Sequence, residues 1–155
     1  MKKFTVLLLA GILLHSCKEA ATVVDREKDS LPLVGTWRLL EGTVIEKGDT
    51  LVTDYTKNVS FIKIINQTHF AFLQHDLSKG KDSAAVFVAG GGTYSLKDSL
   101  YTENLAYCSA REWEGNDFSF TISITNDTLI QQGIEKVESA GIDRINREKY
   151  VRVKK

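Results

Sequence analysis

The sequence predicts an all-β domain: an antiparallel meander of eight to ten short strands closing into a barrel. Three observations carry this. Beyond Pro32, the only proline, apolar residues recur mostly with period two, the signature of strands with one buried and one wet face. Polar turn clusters interrupt the apolar runs every few residues, too often for helices. Only Cys108 accompanies Cys17, so no disulfide within the domain staples the fold and burial must hold it together.

The first strand is expected at 34–45. A short one at 50–52 follows the turn Lys47-Gly48-Asp49. Strands at 59–65 and 69–74 flank Asn66-Gln67, and Lys79-Gly80-Lys81-Asp82 precedes strands at 85–89 and 92–96. Lys97-Asp98 leads into 100–108. The clearest strand is 117–124: Phe118, Phe120, Ile122 and Ile124 share one face, and Asp117, Ser119, Thr121 and Ser123 the other. Asn126-Asp127 turns it into 128–134, a hairpin. Ile134, Val137, Ile142 and Ile145 hint at helix, but Gly141 limits it to a short turn. The last strand is expected at 149–153. A meander of this length hides its edges by closing, although a two-sheet sandwich also satisfies the pattern. The interior of such a barrel either fills with side chains or holds one small ligand.

The chain has 155 residues, suiting one domain, with 20 basic and 20 acidic side chains. This balance excludes the electrostatic footprint of a nucleic-acid binder. Residues 1–17, MKKFTVLLLAGILLHSC, combine a basic start with an apolar run too short to span a bilayer, as in a signal peptide. Leu14-His15-Ser16-Cys17 resembles the lipobox of bacterial lipoproteins. The resemblance implies cleavage before Cys17, lipid on its sulfur and a membrane partner through that lipid. The expected organisation is a signal peptide at 1–16, lipidated Cys17 with a polar tether at 17–31, and a barrel at 32–155. The expected location is the cell envelope, on the outer membrane. Losing Lys2 and Lys3 with the leader leaves the remainder two charges negative.

Gly35-Thr36-Trp37, opening the first strand, resembles the Gly-x-Trp of lipocalins and their fatty-acid-binding and avidin relatives. THFAFL at 68–73, GGTYSLKDSLYTENLAYCS at 91–109, FSFTISITNDTL at 118–129 and EKYVRVK at 148–154 look like a lipocalin-like family of secreted bacterial proteins, most without assigned function. The resemblance implies a lipocalin-like barrel over most of 33–154. It also implies that Gly35 and Trp37 plug the barrel floor and that a basic residue of the last strand, Arg152, packs over Trp37. A large aromatic at a barrel end supplies core area before it supplies a ligand contact.

Strand 100–108 places Tyr101, Glu103, Leu105 and Tyr107 on one face. If that face is inward, Glu103 is an internal carboxylate that needs a partner, and Arg152 or Tyr150 is positioned to supply one. An Arg–Tyr pair inside a barrel resembles how fatty-acid-binding proteins hold a ligand carboxylate, although their order is Arg-x-Tyr and here it is Tyr150-Val151-Arg152. The alternative points Val151 and Val153 inward and leaves Tyr150 and Arg152 in water. Phe70, Phe72, Tyr94, Phe118 and Phe120 either line a pocket or pack a core; the pattern alone fits both.

No cofactor is implied. His69 and His75 make no recognisable metal set. No Gly-x-Ser-x-Gly elbow or phosphate loop is present, and no enzymatic activity is expected. Gly90-Gly91-Gly92 is expected to serve a bulge or bend in the wall; Cys108 is either a small core residue, the favoured reading, or a rim thiol. Asp-Ser/Thr-aliphatic recurs at Ser30, Thr50, Ser83, Ser99 and Thr128. The recurrence resembles a bacterial O-glycosylation motif; turn chemistry explains it equally. The function expected is the binding of a small hydrophobic or amphipathic ligand inside the barrel. The alternative is an interaction lipoprotein with a filled barrel and a protein partner.

Overall fold

The computed structural model describes residues 32–83 and 85–154. The expected signal peptide, Cys17, the tether and Ser30 lie outside the described residues. Nine strands follow in order: β1 (Gly35–Glu46), β2 (Asp49–Asp54), β3 (Val59–Ile65), β4 (His69–Asp76), β5 (Phe87–Lys97), β6 (Leu100–Cys108), β7 (Asn116–Thr125), β8 (Thr128–Val137) and β9 (Ile142–Arg152). From β3 to β9 each strand pairs antiparallel with the next, and β1 pairs antiparallel with β2, β3 and β9. Eight strands therefore close a barrel, while β2 folds back as an extra strand on the second half of β1. The all-β barrel expected from the sequence is the observed architecture.

Tight turns set the meander. Asn126 and Asp127 both have positive φ, 47° and 61°, the geometry that matches the twist of a two-residue hairpin. The helical hint at 134–146 resolves differently. β8 runs to Val137, a single 3-10 turn covers Glu138–Ala140, and Gly141 reverses the chain at φ 65°. Ile134 and Ile145 are cross-strand partners on the outer face, so their helix-like spacing is a hairpin pair. The two strands expected at 85–89 and 92–96 are one strand, β5. The last strand begins at Ile142, well before 149.

Two bulges change which residues face inward. In β1 the register shifts between Leu39 and Glu41, where the Leu40 carbonyl accepts the Tyr55 N–H at 2.9 Å. Trp37 and Leu39 point inward before the bulge; Gly42 and Val44 do so after it. In β6 the shift falls opposite Gly91 and Gly92. Tyr101, Glu103 and Leu105 are buried, but Tyr107 is turned outward and 72 % exposed. The expectation that all four share one face is corrected here: Ala106 is the extra residue, and a two-versus-one bulge flips everything beyond it. The expectation that the glycine triplet serves a bend matches the geometry. A Cβ on Gly92 would lie 1.9 Å from the Asn104 carbonyl oxygen.

One end of the barrel is plugged. Trp37 is fully buried, and its Nε1–H donates to the Leu33 carbonyl at 2.8 Å. The Arg152 guanidinium stacks over the indole at 4.0 Å. It also donates to the carbonyls of Val34 and Pro32, tying the entering chain across the floor. Gly35 lies beneath it with φ 152°, a backbone conformation that L side chains rarely adopt, and a Cβ there would push the guanidinium aside, lying 2.5 Å from Arg152 Nη1. Ile65, Tyr101, Ile122 and Leu129 complete this end of the core.

Candidate functional site

Beyond the plug the barrel encloses a cavity of about 490 Å³. β3, β6, β8 and β9 supply its polar floor, and rings from β3, β4 and β7 supply its walls. Its rim includes Leu51, Thr53 and Tyr55 from the β2 region and Ala110 and Trp113 from the loop after β6. Trp113 is held by Phe118, with ring centroids 5.6 Å apart, and by the Arg144 guanidinium 5.2 Å from its ring.

The interior is charged. The Lys63 ammonium donates to Glu103 Oε1 at 2.6 Å and to Gln131 Oε1 at 3.1 Å. It also lies 5.6–5.8 Å from the ring centroids of Phe70, Tyr101 and Tyr150. Burial pushes the Glu103 carboxyl above the usual carboxylate range, with the Lys63 charge pulling it back. The Tyr101 hydroxyl is buried beside Glu103 without a hydrogen bond of good geometry. Burial first, and then the Glu103 charge, drives its pKa far up.

A second group lies nearer the mouth. Arg144 Nε and Nη2 both reach Glu135 Oε2 at 2.7 Å, and Asn146 Nδ2 donates to Glu135 Oε1 at 2.7 Å. Burial raises the Glu135 carboxyl while Arg144 opposes it. Between the two groups, the Tyr150 hydroxyl donates to Glu148 Oε2 at 2.8 Å. Burial, followed by the Glu148 charge, holds the Tyr150 phenol well above its ordinary value.

Of the residues singled out in the sequence, Glu103, Tyr150, Phe72, Phe118 and Phe120 line the cavity together. Phe70 is buried in the core beneath, with its ring facing the Lys63 ammonium. Tyr94 lies outside the lining; its hydroxyl donates to the Asn66 carbonyl at 2.7 Å and its ring packs on Tyr101. Tyr107 faces out, and Arg152 belongs to the plug. Tyr150 is fully buried. The reading that left it in water and turned Val151 and Val153 inward is therefore corrected. Cys108, half-buried, lines the cavity through the β6 bulge. Thr50, Ser83 and Ser99 are exposed and Thr128 half-buried, all at or beside turns.

Lys63, Gln131, Glu135, Arg144, Asn146 and Glu148 were not singled out. A signal existed. Lys63 interrupts the apolar run VSFIKII, and β9 alternates Arg144, Asn146, Glu148, Tyr150 on one face. Ile62, Ile64, Ile130 and Ile134 sit on the opposite faces of β3 and β8 and obscured the phase.

Among the described residues no cluster of His, Cys, Asp and Glu fits a metal ion. No family model matches the chain, and no curated protein matches it. It is similar to a solved structure of an uncharacterized protein from Bacteroides eggerthii. That likeness has a TM-score of 0.45 at 13 % identity, over 77 % of this chain and 98 % of that one.

Proposed function

We propose that this chain is a lipid-anchored, lipocalin-like lipoprotein of the cell envelope that carries a small amphipathic molecule in its barrel. One observation carries the reading: a walled cavity of about 490 Å³ combines aromatic surface with hydrogen-bonding groups, the composition of small-molecule sites. Such a volume suits one compact ligand. The aromatic walls supply burial, and the polar groups of β9 orient one end. The lipobox resemblance supports a tether at Cys17. The lining offers groups that can bury and orient a guest, and binding is the role proposed.

The test is native against denaturing mass spectrometry of the protein after exposure to an envelope lipid extract. A discrete excess mass lost on denaturation supports the carrier. A bare mass, with no uptake of an apolar dye, counts against it.

A second reading, an interaction lipoprotein, is favoured by one feature of the outer wall. Phe87 and Tyr107 are 69 % and 72 % exposed and flank the glycine stretch of β5. Exposed aromatics beside a flat wall suit a protein contact. A double change of Phe87 and Tyr107 to Ser that abolishes an envelope cross-link while sparing ligand uptake would support it.

A further inference from the structure

The cavity's charges do not balance. Its charged lining consists of Lys63 and Arg144 against Glu103, Glu135 and Glu148. Each cation already has its own carboxylate, Lys63 with Glu103 at 2.6 Å and Arg144 with Glu135 at 2.7 Å. Glu148 accepts only the Tyr150 hydroxyl and has no cation within ion-pair distance among the described residues. Its charge faces the rest of the cavity. It acts on Tyr55, Glu103, Glu135 and Tyr150, and in each case it opposes further negative charge.

The consequence for a ligand follows from electrostatics at low dielectric. An anionic head group would enter against Glu148, with no unpaired cation among the described lining residues to receive it. The Arg152 that might have received a carboxylate is committed to Trp37 on the far side of the plug. A neutral ligand would strip water from Glu148 without replacing it. A cationic head group would pair with it. The neighbouring rings suit that guest too: Phe61 stacks on Phe72 and meets Tyr55 and Tyr150 edge-on, forming one continuous aromatic wall. The Lys63 ammonium, set among three rings, shows a cation held by aromatic faces in the same interior.

We propose that the barrel takes an amine: a cationic nitrogen on Glu148, with an apolar or aromatic body along the Phe61–Phe72 wall. This rests on the carrier reading above and names its ligand class.

The test is titration calorimetry of the full chain in phosphatidylcholine nanodiscs, with empty nanodiscs as the blank. Three indoles share a body and differ in charge: tryptamine, 3-ethylindole and indole-3-propionate. Tryptamine is expected to bind roughly tenfold tighter than 3-ethylindole, with indole-3-propionate weakest. Glu148→Gln keeps an acceptor for Tyr150 and loses the charge; it is expected to bring tryptamine down to the 3-ethylindole level. Indole-3-propionate binding as tightly as tryptamine overturns the assignment. So does an unchanged tryptamine affinity in folded Glu148→Gln. Should that variant fail to fold, the ranking of the three probes on the unmodified chain still decides. Binding of the neutral indole alone removes the amine and leaves the carrier standing. Binding of none removes the amine, and the envelope-extract experiment then decides the carrier separately.

Discussion

Lys63 and Glu103 lie 40 residues apart in sequence and meet at 2.6 Å inside the barrel, their side chains 3 % and 7 % exposed. Such a pair loses hydration on both sides, and its attraction offsets that loss only while both partners remain. Lys63→Met should therefore cost about 3 kcal/mol by stranding Glu103 in the interior. Lys63→Met with Glu103→Gln should cost less than the single change. Urea denaturation of the wild type, both singles and the double closes the cycle. Additive losses would mean that the two side chains are energetically independent despite the contact.

Arg152 is assigned to the plug by its stacking on Trp37 and its bonds to two carbonyls of the entering chain. Arg152→Ala should lower stability by about 2 kcal/mol through the lost cation–π contact and the two unpaired acceptors. Uptake of a small ligand should be unchanged in the fraction that stays folded, because the cavity lies beyond Trp37. Thermal melts and dye uptake on the same samples read both effects. Weakened uptake at full stability would instead place Arg152 in the ligand's path.

The outline of the fold was legible because most strands bury one face. β7 alternates without error, and the Asn126-Asp127 hairpin follows from turn chemistry. The plug was legible through the Gly35-Thr36-Trp37 resemblance. The site was only half legible, for two physical reasons. A polar lumen inverts the usual rule: β3 and β8 turn Lys63, Gln131 and Glu135 inward while Ile64 and Ile134 are exposed. The bulges at Leu40 and Ala106 then switch parity partway along β1 and β6, so Tyr107 leaves the face of Glu103 and Cys108 joins it. The glycine triplet of β5 marks a bulge or bend but not which residue of the partner strand is extra, and alternation cannot be carried across it.

Asp76 ends β4 and organises the loop that follows. Its carboxylate accepts the Gly80 N–H at 2.7 Å, the Ser78 hydroxyl at 2.7 Å and the Val86 N–H at 2.9 Å. These bonds, the Gly80 N–H foremost, hold its pKa well below the ordinary 3.8. The native state therefore binds this proton less tightly than the unfolded chain. The stabilisation is complete above the ordinary value and is lost as pH falls through the native one. The wild type should lose stability on acidification from about pH 5 to about pH 2, and Asp76→Ala should show a flatter profile over that range. At neutral pH the same variant should be cut faster by trypsin after Lys79 or Lys81. Equal cleavage rates would mean that the loop is held by something other than this carboxylate.

Gly92 tests the wall itself. A Cβ there would sit 1.9 Å from the Asn104 carbonyl oxygen and 2.8 Å from the Ala106 backbone nitrogen. Both are backbone atoms of the β6 bulge, so no side-chain rotation relieves the clash. Gly92→Ala should destabilise by several kcal/mol, on the order of the larger single-residue losses. Gly80 has a positive φ of 70° but open space around its would-be Cβ, so Gly80→Ala pays only for its backbone conformation, about 1 kcal/mol. Denaturant melts of the two variants should therefore separate widely. If Gly92→Ala were as mild as Gly80→Ala, β5 and β6 would have room to part there. The inward turn of Cys108 would then not depend on the close approach of these two strands.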